Sequence, residues 1–491
     1  MVGYGDPAYI PTKGCIQPGL SAVPVRQVAT ALMSGQDVGK IQYPRKRSGV
    51  IHGIRFWFRS SCRLSGAVVV VLLSLVSFGC RKPVEPVTLT FLDPQGLLDL
   101  GDHRMVSDAA IHEFTQKSGI RVNHLPTPED NRAQLQLIRD LLQRGVSTPD
   151  LYGIDTIWSG ALAEYLVDLK PYLSSDMPTV DPEVLASYTV QGKLIGIPYH
   201  PNSGVLYYRT DLLRKYGYSL PPKDWDELET MAARIQKGER DAGKKDFWGF
   251  IWPGTVRESL SHIALEWQVS AGGGHVIEAD RTVSVNNPTT VRAWERGAHW
   301  VGWITTPGVI SYTEWDASNA FWIAGNAAFA RGWADYFLRH PPDEPFRQEA
   351  GVTSVPAGKA ARVSALGGWA LAVSSSSAHR AEAIKLVQFL VEKEAQVEAV
   401  SRSQPQWQLQ FYDLPVMLAE KYPWAPKAPD HSGSTIVSRP SNVSGAHYDE
   451  VSRAYSEAVH SVLARQSTAS QAAASLEKEL VRITGFATAH K

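Results

Sequence analysis

Between residues 87 and 155 the hydrophobic pattern switches repeatedly between a strand period and a helix period. The β-rich run Val87-Thr88-Leu89-Thr90-Phe91-Leu92 follows the Pro-rich stretch 83–86 and predicts a first strand. Residues 106–117 carry helical spacing and stop at Ser118-Gly119, after which Ile120-Arg121-Val122 resumes as strand. Residues 129–144 read as an amphipathic helix with Leu135, Ile138 and Leu142 on one face and Gly145 as its stop. Pro149-Asp150 then opens a short strand, Leu151 to Ile154, which ends at Asp155. This β-α-β order predicts an α/β fold with an open, mostly parallel sheet. Ligands bind such sheets beyond the carboxyl ends of the strands, where Asp155 stands. Farther on, Asp224 and Glu227 read as a capping box opening a helix to Ile235, and residues 448–483 alternate helical patterns with a break at 467–470.

Upstream, Arg55, Arg59 and Arg63 precede the apolar run 67–76 and then Ser77-Phe78-Gly79-Cys80. A basic flank, a short apolar core and a small residue before the cut mark a secretory signal, here residues 51–79. The run is short and Ser-interrupted for a membrane span. It resembles the lipobox of bacterial lipoproteins, which implies that Cys80 is the first mature residue and carries a diacylglyceryl group, although Ser77 stands where that box usually has Leu. An uncleaved signal anchor is the alternative, and in both cases the bulk of the chain faces an extracytoplasmic space. Residues 1–50 are Gly- and Pro-rich without an apolar period. They read as a disordered leader, or as a start placed too early with Val50 or Met33 as the true initiator.

Composition narrows the function. The 49 basic and 49 acidic residues cancel, so no electrostatic footprint for nucleic acid exists. Of three cysteines, Cys15 and Cys62 precede the expected mature chain, leaving Cys80 alone and no disulfide framework or thiolate metal site. No His-Glu-x-x-His run, Gly-x-Ser-x-Gly elbow or phosphate loop is present, and Gly272-Gly273-Gly274 is a bare turn. His112, His262 and His299 read as helix-surface or satisfied core residues rather than metal ligands, so no metal and no cofactor are expected. The 15 Trp residues point to large cores or to a cleft that stacks indoles on flat ligand faces.

The segments Gly192-Lys193-Leu194-Ile195-Gly196-Ile197-Pro198, Gly204-Val205-Leu206-Tyr207-Tyr208-Arg209-Thr210-Asp211 and Pro221-Pro222-Lys223-Asp224-Trp225, in that order, resemble the family 1 extracellular solute-binding proteins of ABC sugar importers. The maltose- and trehalose-type receptors are the nearest pattern. Phe321-Trp322-Ile323-Ala324-Gly325-Asn326-Ala327-Ala328-Phe329-Ala330-Arg331-Gly332-Trp333 and Leu366-Gly367-Gly368-Trp369-Ala370 extend the likeness over residues 87–485. The resemblance implies a periplasmic-binding-protein-like fold, two α/β lobes joined by a hinge with a ligand cleft between them. Carried over, a linker spans 80–86, lobe one takes 87–199 and 353–400, lobe two takes 200–352 and 401–488, and the hinge crossings fall near 198–204 and 351–356. It also implies a monomer that binds a sugar, probes no nucleic acid, is held to the membrane by its lipid, and delivers its ligand to an ABC transporter permease.

A pyranose presents hydroxyls at its rim and C–H patches on its faces, so its site needs planar donors and acceptors beside an aromatic plate. Asp155-Thr156-Ile157-Trp158 matches the Asp-x-x-Trp segment that supplies a ligand-binding aspartate in the resembling receptors. Its alternative role is to cap the following helix. Asn202 stands where those receptors carry Asp, so a ligand other than trehalose or maltose, or a simple turn role, is open. Trp333 falls at their aromatic plate, or is a core indole. Gly367 and Gly368 bring backbone N–H groups close to a ligand or form a bulge, with Trp369 beside them in cleft or core. Arg331 forks onto a hydroxyl, pairs with a cleft acid, or makes a surface salt bridge. Tyr207 and Tyr208 are mainly structural. Two other classes stay open: a glycosidase built on acids such as Asp155, Glu266 and Asp335, and a receptor for iron or peptide.

Overall fold

The computed structural model describes residues 86–94, 105–128, 131–173, 180–333, 345–392 and 434–489. The leader, the signal segment and Cys80 lie outside the described residues. No helix among the described residues is long and apolar enough to cross a membrane.

The opening segment folds as its two periods require. β1 (Thr88–Asp93), α1 (Asp108–Ser118), β2 (Arg121–Pro126), α2 (Asn131–Gln143) and β3 (Leu151–Asp155) follow one another. Ser107 caps α1 by accepting from the Ala110 N–H, and Gly119 stops it at φ 73°. Leu135, Ile138 and Leu142 of α2 are buried, as are Leu89, Phe91 and Leu151 of the strands. β1 lies between β2 and β3 and runs parallel to both.

The centre of the sheet departs from the expected parallel order. β4 (Ile197–Arg209), α3 (Trp225–Asp241), β5 (Trp248–Ile251), α4 (Glu258–Ala271), α5 (Pro288–Trp300), α6 (Glu314–Trp322), β6 (Ala327–Trp333), β7 (Ala350–Ser354), β8 (Arg362–Val373), α7 (Arg380–Val391), β9 (Ser434–Val437), α8 (Tyr448–Leu463) and α9 (Ala469–Thr484) complete the main elements. Among the described residues one sheet of nine strands has the order β2-β1-β3-β8-β4-β6-β5, with β7 also on β4 and β9 also on β8. β5 with β6 and β8 with β9 are parallel. β3 with β8, β8 with β4, and β4 with both β6 and β7 are antiparallel. The sheet is mixed because its two longest strands, β4 with 13 residues and β8 with 12, run in opposite directions through the middle.

Each of these strands changes partners part-way along. Residues 197–203 of β4 pair with β8, whereas residues 204–209 pair with β6 and β7. Within β8, residues 362–365 pair with β9, and 366–373 pair with β4 and β3. The change of partners in β8 falls at Ala365-Leu366, downstream of the crossing expected near 351–356. All of β7 pairs with the second half of β4, and residues 357–360 still bond to the far side, through Ala357 N–H to Lys223 O and Ala360 N–H to Ser270 O. A further crossing follows β9. Ser441 Oγ donates to Thr156 O at 3.2 Å and Asn442 Nδ2 to Ala186 O at 2.7 Å, while α8 and α9 return to pack on α4 and α5.

Capping sets the helix starts. Asp224 accepts from Glu227 N–H at 2.9 Å, but the Glu227 carboxylate accepts from Lys223 rather than from Asp224, so the expected capping box is only half formed. A complete box, Thr468 with Gln471, opens α9 at the break anticipated between the last two helices. The core beneath α3, α4, α5, α8 and α9 includes Leu206, Phe250, Trp267, Trp294, Trp300, Tyr455 and Leu476. Val205, Tyr207, Ile251, Phe321 and Trp322 fill a second core on the α6 side. Trp158, Trp252, Trp294, Trp300 and Trp322 are fully buried, so packing accounts for much of the tryptophan content.

At the crossing, Arg331 of β6 forks onto Glu266 of α4, Nη2 to Oε1 at 2.7 Å and Nε to Oε2 at 3.1 Å, and Ala365 N–H donates to Oε1 at 2.9 Å. Both side chains are buried. Removing one partner of such a pair strands an uncompensated charge. Glu266→Ala is therefore expected to destabilise the protein by about 3–5 kcal/mol, read from urea denaturation midpoints.

Candidate functional site

The carboxyl end of β3 delivers Asp155 to the crossing. Its Oδ1 accepts from Ile157 N–H at 3.1 Å, capping the turn Thr156–Trp158, and its Oδ2 accepts from Asn131 Nδ2 at 3.2 Å. The capping role is thus real, and the half-buried carboxylate also faces Asn131 at the start of α2. Burial pushes the Asp155 pKa above its ordinary value, while the Arg439 charge and the two hydrogen bonds pull it back.

Trp369 lies directly across from Asp155 in the β3–β8 ladder and across from His200 in β4. Its half-buried ring meets the Trp158 ring edge-on, with centroids 5.2 Å apart. Gly368 has φ 116°, and a side chain there would meet His200 O at 2.2 Å; its own carbonyl accepts from Tyr188 OH at 3.0 Å. The bulge anticipated at the glycine pair sits one step on, between Trp369 and Ala370. Gly367 pairs with Asn202, and a Cβ on it would run into the Trp333 ring at 2.8 Å. The indole is therefore seated on the bare main chain of the crossing strand. Asn202 is half-buried and its Oδ1 accepts from Ser203 N–H at 2.9 Å.

Trp333, the last residue of β6, pairs with Gly204 and is half-buried. Its Nε1 donates to Glu314 Oε1 at 3.0 Å, its carbonyl accepts from Tyr207 OH at 2.7 Å, and the Arg331 guanidinium lies 4.6 Å from the ring centroid. Arg331 itself is engaged by Glu266 and is only 3% exposed, so of its anticipated roles it takes the acid pairing, in the interior rather than at the surface. Glu266 accordingly has both oxygens committed. Asp335 lies outside the described residues.

Two contributors escaped sequence reasoning. Arg439 is buried at the crossing after β9, donating from Nη1 to Glu258 Oε1 at 2.7 Å and from Nη2 to Leu366 O at 3.0 Å. Burial opposes its charge, yet Tyr448, Glu258 and Asp155 hold its pKa above the usual value. The signal for it was available: Ser434-Thr435-Ile436-Val437 is a β-rich run closed by Arg439-Pro440, a strand end like that of Asp155. The second is His262 of α4. It was expected to be a surface or satisfied core residue, but it is 1% exposed and neither ring nitrogen has a hydrogen-bond partner among the described residues. Its ring centroid lies 4.5 Å from that of Trp333 and its Nε2 is 3.6 Å from Glu314 Oε1. Burial, reinforced by the Arg331 charge, lowers its pKa to about 3, so the imidazole is neutral. Among the described residues no group of three or more His, Cys, Asp or Glu side chains is placed to hold a metal ion.

Asp155, Asn202, Trp333, Gly367, Gly368 and Trp369 thus gather where the long strands change partners, with Arg439 beside them. Residues 104–397 match the model of a family described as bacterial extracellular solute-binding protein. The chain belongs to this family. A probable ABC transporter-binding protein of Deinococcus radiodurans is 37% identical over 425 residues, 84% of this chain and 98% of the relative. The maltose-bound MalE3 of T. maritima superposes with a TM-score of 0.67 at 29% identity, over 81% of this chain and 100% of that one. A solute-binding protein of Thermotoga lettingae bound with α-D-tagatose shares the fold at 23% identity, with a TM-score of 0.66 and coverage of 81% and 100%. The solute-binding protein described here therefore has the periplasmic-binding-protein fold, two α/β lobes joined at the crossing strands, and its family works outside the cytoplasm.

His262 gives this site a measurable pH signature. The unfolded imidazole titrates near 6.5 and the folded one near 3, so between these values the unfolded state binds the extra proton. The group's contribution to stability is complete above the unfolded value and is lost as pH falls toward the folded one, at about 1.4 kcal/mol per pH unit. Replacing His262 by Gln is expected to flatten the unfolding free energy over that window, as read from urea titrations at a series of pH values.

Proposed function

We propose that this protein captures a neutral sugar, a disaccharide such as trehalose or maltose, and delivers it unaltered to the permease of an ABC transporter, held near the membrane by a lipid on Cys80. The observation that carries this reading is the convergence of two half-buried indoles, Trp333 and Trp369, with Asp155 across bare Gly367-Gly368 backbone. An aromatic plate suits the C–H face of a pyranose, and a carboxylate accepts charge-assisted bonds from adjacent hydroxyls. Arg439 balances the Asp155 charge, and Asn202 offers an amide able to donate and accept. The maltose and tagatose in the two similar structures support a sugar as the ligand class.

Closure is the working step. Ligand stabilises the closed arrangement only through contacts better than those of the open one, so the groups that meet it must come from both lobes. Asp155 arrives on β3 from one side and Trp333 on β6 from the other, with Gly367 between them. Nothing in this step breaks a bond in the sugar.

A thermal-shift screen of mono- and disaccharides, with ferric iron and short peptides as competing classes, tests the reading. Ligand at 100 times its dissociation constant adds about 2.7 kcal/mol of apparent stability, and stabilisation by iron or peptide alone would displace the sugar. With the sugar so found, Trp333→Ala is expected to weaken binding by about 1–3 kcal/mol by calorimetry. Asp155→Asn should weaken it too. Because Asp155 has a raised pKa and binds hydroxyls as the anion, affinity should begin to fall on acidification above the ordinary carboxylate range, and the Asn variant should lose that dependence.

A further inference from the structure

Trp333 has one polar atom, the indole N–H, which can only donate. It is given to Glu314 Oε1 at 3.0 Å. The other described groups around the ring meet it by packing rather than by hydrogen bonds, and the core of Val205, Tyr207 and Phe321 lies against it. Gly367 presents bare backbone, Arg331 lies over the ring, and neutral His262 is tilted 56° to it without a hydrogen bond. The backbone of Glu314 is fixed at the start of a helix. Glu314 is the first residue of α6, directly after Thr313, whose side chain accepts from Asp316 N–H while Asp316 Oδ2 accepts from Thr313 N–H at 2.8 Å. A carboxylate in the first turn is favoured by the helix dipole, and about 40% of the Glu314 side chain is exposed. His262, 3.6 Å away, lies beyond hydrogen-bond reach and carries no proton that would make it a competing cation.

We infer that Glu314 is a positioning residue for ligand capture: from the first turn of α6 its carboxylate takes the indole N–H and locks Trp333 in the orientation that meets the ligand face. This rests on the sugar reading of the site, in which Trp333 is the stacking plate. An indole already fixed loses no rotational freedom when it stacks, so the tether acts on affinity without touching the sugar. An amide oxygen at the same place can accept the same N–H, whereas a methyl cannot.

The test has two readouts. In a ¹H–¹⁵N spectrum of the unliganded protein, the Trp333 indole N–H is identified by its disappearance in Trp333→Phe. It should move in Glu314→Ala and stay close to its original position in Glu314→Gln. By calorimetry with maltose and trehalose as probes, Glu314→Ala should lose about tenfold or more in affinity, while Glu314→Gln should recover most of that loss. An indole resonance unmoved by Glu314→Ala, an Ala variant that binds as wild type does, or Ala and Gln variants weakened alike would each overturn the inference. If the wild-type protein binds neither sugar, the sugar reading fails and the affinity claim with it, while the resonance comparison still decides whether the tether exists.

Discussion

The buried pairing of Arg331 with Glu266 is the constraint on which the rest of this architecture hangs. Glu266 projects from a helix in the core of one lobe and takes the guanidinium fork of the strand that ends in Trp333. Its Oε1 also takes the backbone N–H of Ala365, one residue before β8 passes into the other lobe. Three elements are thereby locked at one point. Gly204 makes it possible, since a Cβ there would stand 2.1 Å from Glu266 Oε1 and 2.3 Å from Arg331 Nη2. In that interior each charge is tolerable only because the other is present with its hydrogen bonds satisfied.

The site inherits its precision from that lock. The ring of Trp333 comes to rest on Gly367 because β6 is pinned two residues earlier, at Arg331. Asp155 and Trp369 face each other because β8 continues straight from the same crossing into the ladder with β3. Arg439 then closes the set from the third crossing, joining Glu258 of α4 to the Leu366 carbonyl of β8 and lending its charge to Asp155. The charged groups Glu266, Arg331, Arg439 and Asp155 are thus arranged with hydrogen-bond or ion-pair partners, and the half-buried indoles remain beside them.

Much of this was legible in the amino acids. The strand and helix periods of residues 87–155 located β1 to β3 and the helices between them to within a few positions, and they put Asp155 at a strand end. Trp333 stood out because the resemblance puts an aromatic plate at its position, and Gly367-Gly368 because main chain without Cβ can approach a ligand directly. What could not be read depended on tertiary pairing. The change of partners in β4 at 203–204 falls within the crossing expected near 198–204, but nothing local in β4 or β8 states that they pair antiparallel, so the mixed centre of the sheet went unread. Nothing in the residues flanking His262 tells that Trp333 and Arg331 will close over it and leave its nitrogens unbonded. Arg439 went unread for a simpler reason, since its short strand stands apart from the helical pattern that follows.

Strands shared between the halves also bear on how the molecule can be divided. Residues 197–209 and 362–373 each give hydrogen bonds to both lobes, and the segment carrying Arg439 and Asn442 stitches them again. No single cut in the gene would release one intact lobe, because every such cut leaves each fragment missing strands that the other still holds.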